Sequence, residues 1–153
     1  MPKDISFKQF SDYLSKIAPN IQGQLEKTIG LCCQKVRGDI QDSMAKTPRD
    51  TTKTYFTNNK TKGHHPSLPG NPPAPDTGNL RNSIRYEVHG EGKEVYGIVG
   101  STQKDPNYAV YTEYGTSKMK PRPWLRPAML KNNDWIRKAI AKVVGDSIKG
   151  AAK

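Results

Sequence analysis

"IRYEVHGEGKEVYGIVGS", residues 84–101, decides the fold. Ile84, Tyr86 and Val88 alternate with Arg85 and Glu87, the period of two that marks a strand with one face buried. GEGK at 90–93 makes a turn, and a second strand follows from Glu94 with Val95 and Val99 on one face. Two such runs around a short turn predict an antiparallel hairpin. The same context argues against a phosphate-binding loop, which would place GEGK between a strand and a helix.

On the N-terminal side the period changes to that of helices. Phe7, Phe10, Leu14 and Ile17 recur at helical spacing, with Asp4 or Ser6 available as caps. Pro19 is predicted to end this helix and Asn20 to cap the next one. From there Ile21, Leu25, Ile29, Cys32, Val36, Ile40 and Met44 form one stripe that ends near Ala45, before Thr47-Pro48. Gly23, Gly30 and Gly38 each cost about 1 kcal/mol against alanine, so this helix needs a surface to lean on.

Residues 47–78 break the pattern with seven threonines, six prolines and almost no periodicity. A mobile loop is expected at 47–76, with extended backbone through the prolines at 66, 69, 72, 73 and 75. His64 and His65 fall in this stretch, where no metal site is expected. Asp76 or Thr77 can cap a short turn through Leu80.

Beyond the hairpin, Asp105-Pro106-Asn107 starts a short helix over YAVYTEY, which Gly115 stops. Tyr108, Tyr111 and Tyr114 fall on about one face of it, a spacing that usually means packing. Prolines follow at 121, 123 and 127, and a last helix is predicted from about Pro127 to Lys149. A third strand is expected at about 120–125. The result is one α+β domain over 1–153, with N-terminal helices, a small antiparallel sheet, a short helix and a long C-terminal helix.

Composition bounds the function. The apolar content of 33% is low, so part of the chain should lie outside any core. No run reaches the roughly 20 apolar residues of a membrane span, so no membrane partner is expected. The cysteines are the adjacent pair Cys32 and Cys33, which on a helix diverge and read as reduced thiols of a cytoplasmic setting. Of the net charge of +11, residues 118–153 carry +8, from ten Lys/Arg against Asp134 and Asp146. That end suits nucleic acid or an acidic protein.

No nucleophile, base and orienting group come together at readable spacing, so neither an enzyme nor a cofactor is expected. Glu87, Glu91 and Glu94 flank the hairpin turn as solvated charges. Tyr108, Tyr111, Tyr114 and Trp124 interleaved with cations keep a small basic nucleic-acid-binding protein as the alternative reading. A toxin-like nuclease would need a cleft of converging polar residues.

The order of motifs is informative. Thr77, Gly78, Leu80, Arg81, Ser83 and Ile84 are followed by Tyr108, Ala109, Tyr111, Glu113, Gly115 and Thr116, then by Pro121, Pro123, Trp124, Leu125, Arg126, Pro127 and Ala128. This series, over roughly 66–130, resembles the small head–tail joining proteins of long-tailed bacteriophages, also described as neck, tail-completion or minor tail components. Trp124 departs from the more usual phenylalanine, and 47–66 looks like an extension.

The resemblance implies a structural virion protein working as an oligomeric ring at the head–tail junction, assembled in the host cytoplasm. Its partners would be other copies of itself, the head connector and the tail terminator or tube proteins, with possible contact to DNA in the channel. Tyr111, Tyr114, Lys118, Lys120, Arg122, Trp124 and Arg126 are the expected partner-binding residues. Thr77, Gly78, Leu80, Arg81, Gly115 and Pro127 are the expected structural motif. Trp124 fits either an interface arm stiffened by prolines or a plug beneath the last helix, and the arm is favoured.

Overall fold

The computed structural model describes residues 7–56, 63–91, 94–103 and 106–151. The expected caps Asp4 and Ser6, the turn residues Gly92 and Lys93, and Asp105 lie outside the described residues, as do the side chains of Phe7, Phe10, Leu14 and Ile17. The elements run α1 (Phe7–Ala45), β1 (Tyr55–Phe56), β2 (Gly63–His64), α2 (Asn79–Ser83), β3 (Ile84–Glu91), β4 (Glu94–Ser101), α3 (Pro106–Tyr114) and α4 (Leu125–Ala151). The class is α+β. The chain forms two compact units.

One unit comprises Gln34–Tyr86 and Val99–Asn132. Its core takes the stripe of α1 at four-residue steps: Val36, Ile40 and Met44 are at most 1% exposed. Leu80, Ile84, Ala109, Trp124 and Ala128 complete it. Polar clamps surround this core. Gln41 Nε2 donates to Arg81 O (3.0 Å) while Arg81 Nε donates to Gln41 O (3.2 Å), tying α1 to α2. Buried Asn132 of α4 donates to Asp39 Oδ2 on α1 at 2.7 Å. That bond, helped by Lys35 and Lys131, holds the Asp39 carboxyl below the usual carboxylate range.

The other unit comprises the described parts of Met1–Cys33, Glu87–Ile98 and Asn133–Lys153. The helix lies close on the hairpin here. A Cβ at Gly97 would overlap Cys33 Sγ and come within 2.8 Å of Ile29 Cγ2, so only glycine fits. Ser147 Oγ of α4 donates to Gln24 Oε1 of α1 at 3.0 Å. Burial pushes both cysteine thiols up, so they stay protonated. His89 stacks on Tyr96 with ring centroids 5.2 Å apart.

Three local expectations fail. Pro19 does not split the N-terminal region, because α1 is continuous from Phe7 to Ala45. A proline removes one intrahelical bond, at about 3 kcal/mol, and the turns on either side carry the helix through. No third strand forms at 120–125. Pro121 and Pro123 have no N–H to give to a ladder; Pro121 O instead accepts from Gly70 N (3.0 Å), and Arg122 N donates to Thr112 O (2.7 Å). Within 47–78 a small antiparallel ladder pairs Tyr55 with His64 and Phe56 with Gly63, where only loop was expected. An isolated bridge joins Arg49 to Ser67, and Asp50 N donates to Pro66 O at 2.7 Å.

Candidate functional site: the α3 face and the strap to α4

α3, α4 and the strap between them, residues 115–124, are built around one carboxylate. Glu113 is 8% exposed, and its Oε2 accepts the backbone N–H of Trp124 (2.7 Å) and Leu125 (2.9 Å). Its Oε1 accepts the N–H of Arg126 at 3.0 Å. The next residue, Pro127, has no N–H. The first turn of α4 therefore has no orphan donor left, although its cap comes from another helix rather than from its own sequence. Pro127 is the third residue of α4 rather than its start.

Gly115 turns the chain toward the strap. Its φ is +79°, and a Cβ there would sit 2.7 Å from Met119 O and 2.9 Å from Pro121 N. Thr116 closes the reversal, since its N–H donates to Met119 O (2.8 Å) and its Oγ1 accepts from the N–H of Lys118 and of Met119. Upstream, Gly78 takes φ +78° before α2, and Thr77 Oγ1 accepts the Asn79 N–H at 3.4 Å.

Trp124, favoured above as an arm, lies inside the chain at 4% exposure. Its indole N–H donates to Ala109 O (3.3 Å) and Thr112 Oγ1 (3.2 Å), so it packs as a plug under α3. The tyrosine spacing, read as packing, does not bury these rings. Tyr108, Tyr111 and Tyr114 are 45%, 46% and 63% exposed, and the buried side of α3 is Ala109, Thr112 and Glu113. The Arg126 guanidinium lies over the Tyr114 ring, 5.2 Å from its centroid. Lys118 and Lys120 are exposed on the strap. Arg122 is half-buried, with Nε donating to Ser67 O at 3.2 Å.

Of the expected partner-binding residues, Tyr111, Tyr114, Lys118, Lys120 and Arg126 thus reach solvent, while Trp124 does not. Glu113 had no role assigned from sequence. The available signal was a lone acid ahead of a cationic stretch, just before a helix with no cap of its own.

Beside this face an open groove of about 310 Å³ is bordered by Met44, Pro75, Asp76, Leu80, Gln103 and Tyr108. Burial pushes the Tyr108 phenol up. Among the described residues no cluster of three or more His, Cys, Asp or Glu could hold a metal ion, and no helix is long and apolar enough to cross a membrane.

Residues 8–115 match the family model described as "Bacteriophage HK97-gp10, putative tail-component". No curated protein and no solved structure matches the chain. The matched span runs from α1 through α3 to Gly115, and includes both Gly78 and Glu113. The chain belongs to the HK97-gp10-like family of bacteriophage tail components.

Proposed function

We propose that this phage tail component completes the head–tail junction as one subunit of an oligomeric ring, meeting its neighbours through the outer face of α3 and the strap. The observation that carries this reading is the sorting of charge and aromatics there. Glu113 is the one acid between residues 106 and 132, and it is turned inward as a cap. What remains outside is Tyr111, Tyr114, Lys118, Lys120 and Arg126, on backbone stiffened by prolines. Aromatics and arginine on a rigid support are what protein interfaces favour. An acidic neighbouring virion protein is the partner this face suits.

Ring assembly draws support from the other unit, where Leu31 (61%), Tyr96 (50%) and Ile98 (52%) are exposed. Neighbouring copies would cover them, with the protein a monomer or weak oligomer in dilute solution. Of the stretch expected to be mobile, the exposed part around Lys53 would open first, with trypsin cutting there among the described lysines, while Ser67 stays held by Arg122.

The test is complementation of a phage lacking this protein with Lys118→Glu/Lys120→Glu. The expected outcome is unjoined heads and tails under electron microscopy, with the melting temperature nearly unchanged. Normal joining by a stable double variant would overturn the reading. Steep loss of DNA affinity with salt in the parent, abolished in the variant, would favour the nucleic-acid alternative instead.

A further inference from the structure

Behind the strap lies a second, smaller hollow of about 60 Å³, bordered by His64, Ser67, Tyr108, Thr112 and Arg122. A water needs roughly 10–15 Å³ on such a measure, so a group of several heavy atoms fits. Its walls combine these polar residues with Pro66, Pro73, Ala74 and Met119. Ser67 is 1% exposed, and among the described residues nothing pairs with its Oγ. A buried hydroxyl without a partner is costly, which makes it a candidate for a ligand bond. Arg122 is pinned at the wall by its bond to Ser67 O (3.2 Å), and among the described residues no carboxylate pairs with its guanidinium. His64 Nδ1 also has no hydrogen bond there; its nearest acid, Asp76 Oδ1, is 3.6 Å away and borders the larger groove. Tyr108 remains a neutral phenol at ordinary pH, because burial pushes it up.

A hydroxyl, a phenol and a guanidinium with no carboxylate partner among the described residues suit an oxyanion around so small a space, and Arg reads a planar carboxylate best, with two parallel bonds. We propose that this hollow binds the carboxylate of an Asp or Glu side chain presented by an acidic protein partner. This rests on the reading of the α3 face as a partner surface and adds the chemistry that anchors the partner. A phosphodiester is flanked by two sugars and suits a hollow of about 60 Å³ less well than a side-chain carboxylate on a flexible stem.

The experiment is an NMR titration of the full chain with sodium acetate, followed at the Tyr108 ring and the Arg122 Nε–H. The expected result is a saturable shift with acetate and none with acetamide. Binding should weaken about tenfold or more in Arg122→Gln and in Ser67→Ala, as loss of a hydrogen bond to a charged group implies. Ser67→Ala should meanwhile keep or raise the melting temperature, since the hydroxyl it removes has no partner among the described residues. No saturable shift with acetate, an equal response to acetamide, or tighter binding of inorganic phosphate than of acetate would overturn the proposal. So would a Ser67→Ala protein that melts lower but binds acetate as the parent does. If acetate fails to bind while Lys118→Glu/Lys120→Glu still blocks joining, the hollow falls and the face stands. If acetate binds as expected but the double variant joins normally, the face falls and the carboxylate site stands.

Discussion

The two sides of α3 make an instructive pair. On one side Ala109, Thr112 and Glu113 are buried and lock Trp124 and the start of α4 in place. On the other, Tyr111 and Tyr114 are largely open to solvent, and Tyr108 is partly exposed at the edge of the two hollows. Helical spacing alone suggests packing for the tyrosines, because steps of three place them on about one face. The structure reverses this. A single capping carboxylate and an indole from a neighbouring segment fill the interior, and small residues give them room. The inner side therefore makes the fold, and the outer side is left for contacts.

Substitutions should separate the two sides, and the largest effect is expected at Trp124. Trp124→Ala empties the space under α3 and should cost about 3–5 kcal/mol in chemical denaturation. A variant that unfolds like the parent would return Trp124 to a surface role. Next is Glu113→Gln, which keeps the shape but removes the charge facing three N–H groups. It should cost about 1.5–3 kcal/mol, with faster amide exchange at Leu125 and Arg126. Unchanged exchange there would mean that α4 does not depend on this cap.

A smaller effect is expected at Asp39, whose carboxyl the Asn132 bond, with Lys35 and Lys131, holds below its ordinary range. A depressed folded-state value means that its stabilisation is full above the unfolded value of about 3.9 and is lost as pH falls through the folded one. Asp39→Asn should therefore lower stability at neutral pH and flatten the acid limb of the stability curve below about pH 4. Parallel acid limbs for the two proteins would remove this link between α1 and α4. The smallest change belongs to the outer face: Tyr111→Ser/Tyr114→Ser should alter stability by less than about 0.5 kcal/mol while impairing particle joining. A large drop in melting temperature would show that these rings support the fold after all.

The sequence by itself determined the local periods and the punctuation. The alternation at 84–101 specified the hairpin, and the four-residue steps through Val36, Ile40 and Met44 specified which face of α1 is buried. Gly115, read as the stop of α3, takes a φ of +79°, and Gly78, expected only as a motif residue, takes +78°; both values favour glycine. These features are legible because they arise from residues within one or two turns of each other. Tertiary structure decided the rest. It carried α1 past Pro19, denied the proline strap a place in the sheet, and folded Arg49 against Ser67 across the threonine-rich stretch. It also chose which aromatics are inside. Trp124 is buried because Glu113, eleven residues earlier, receives its N–H and the α4 N-terminus in one place. Such a choice depends on groups that meet only after the chain has closed, so no local pattern could encode it.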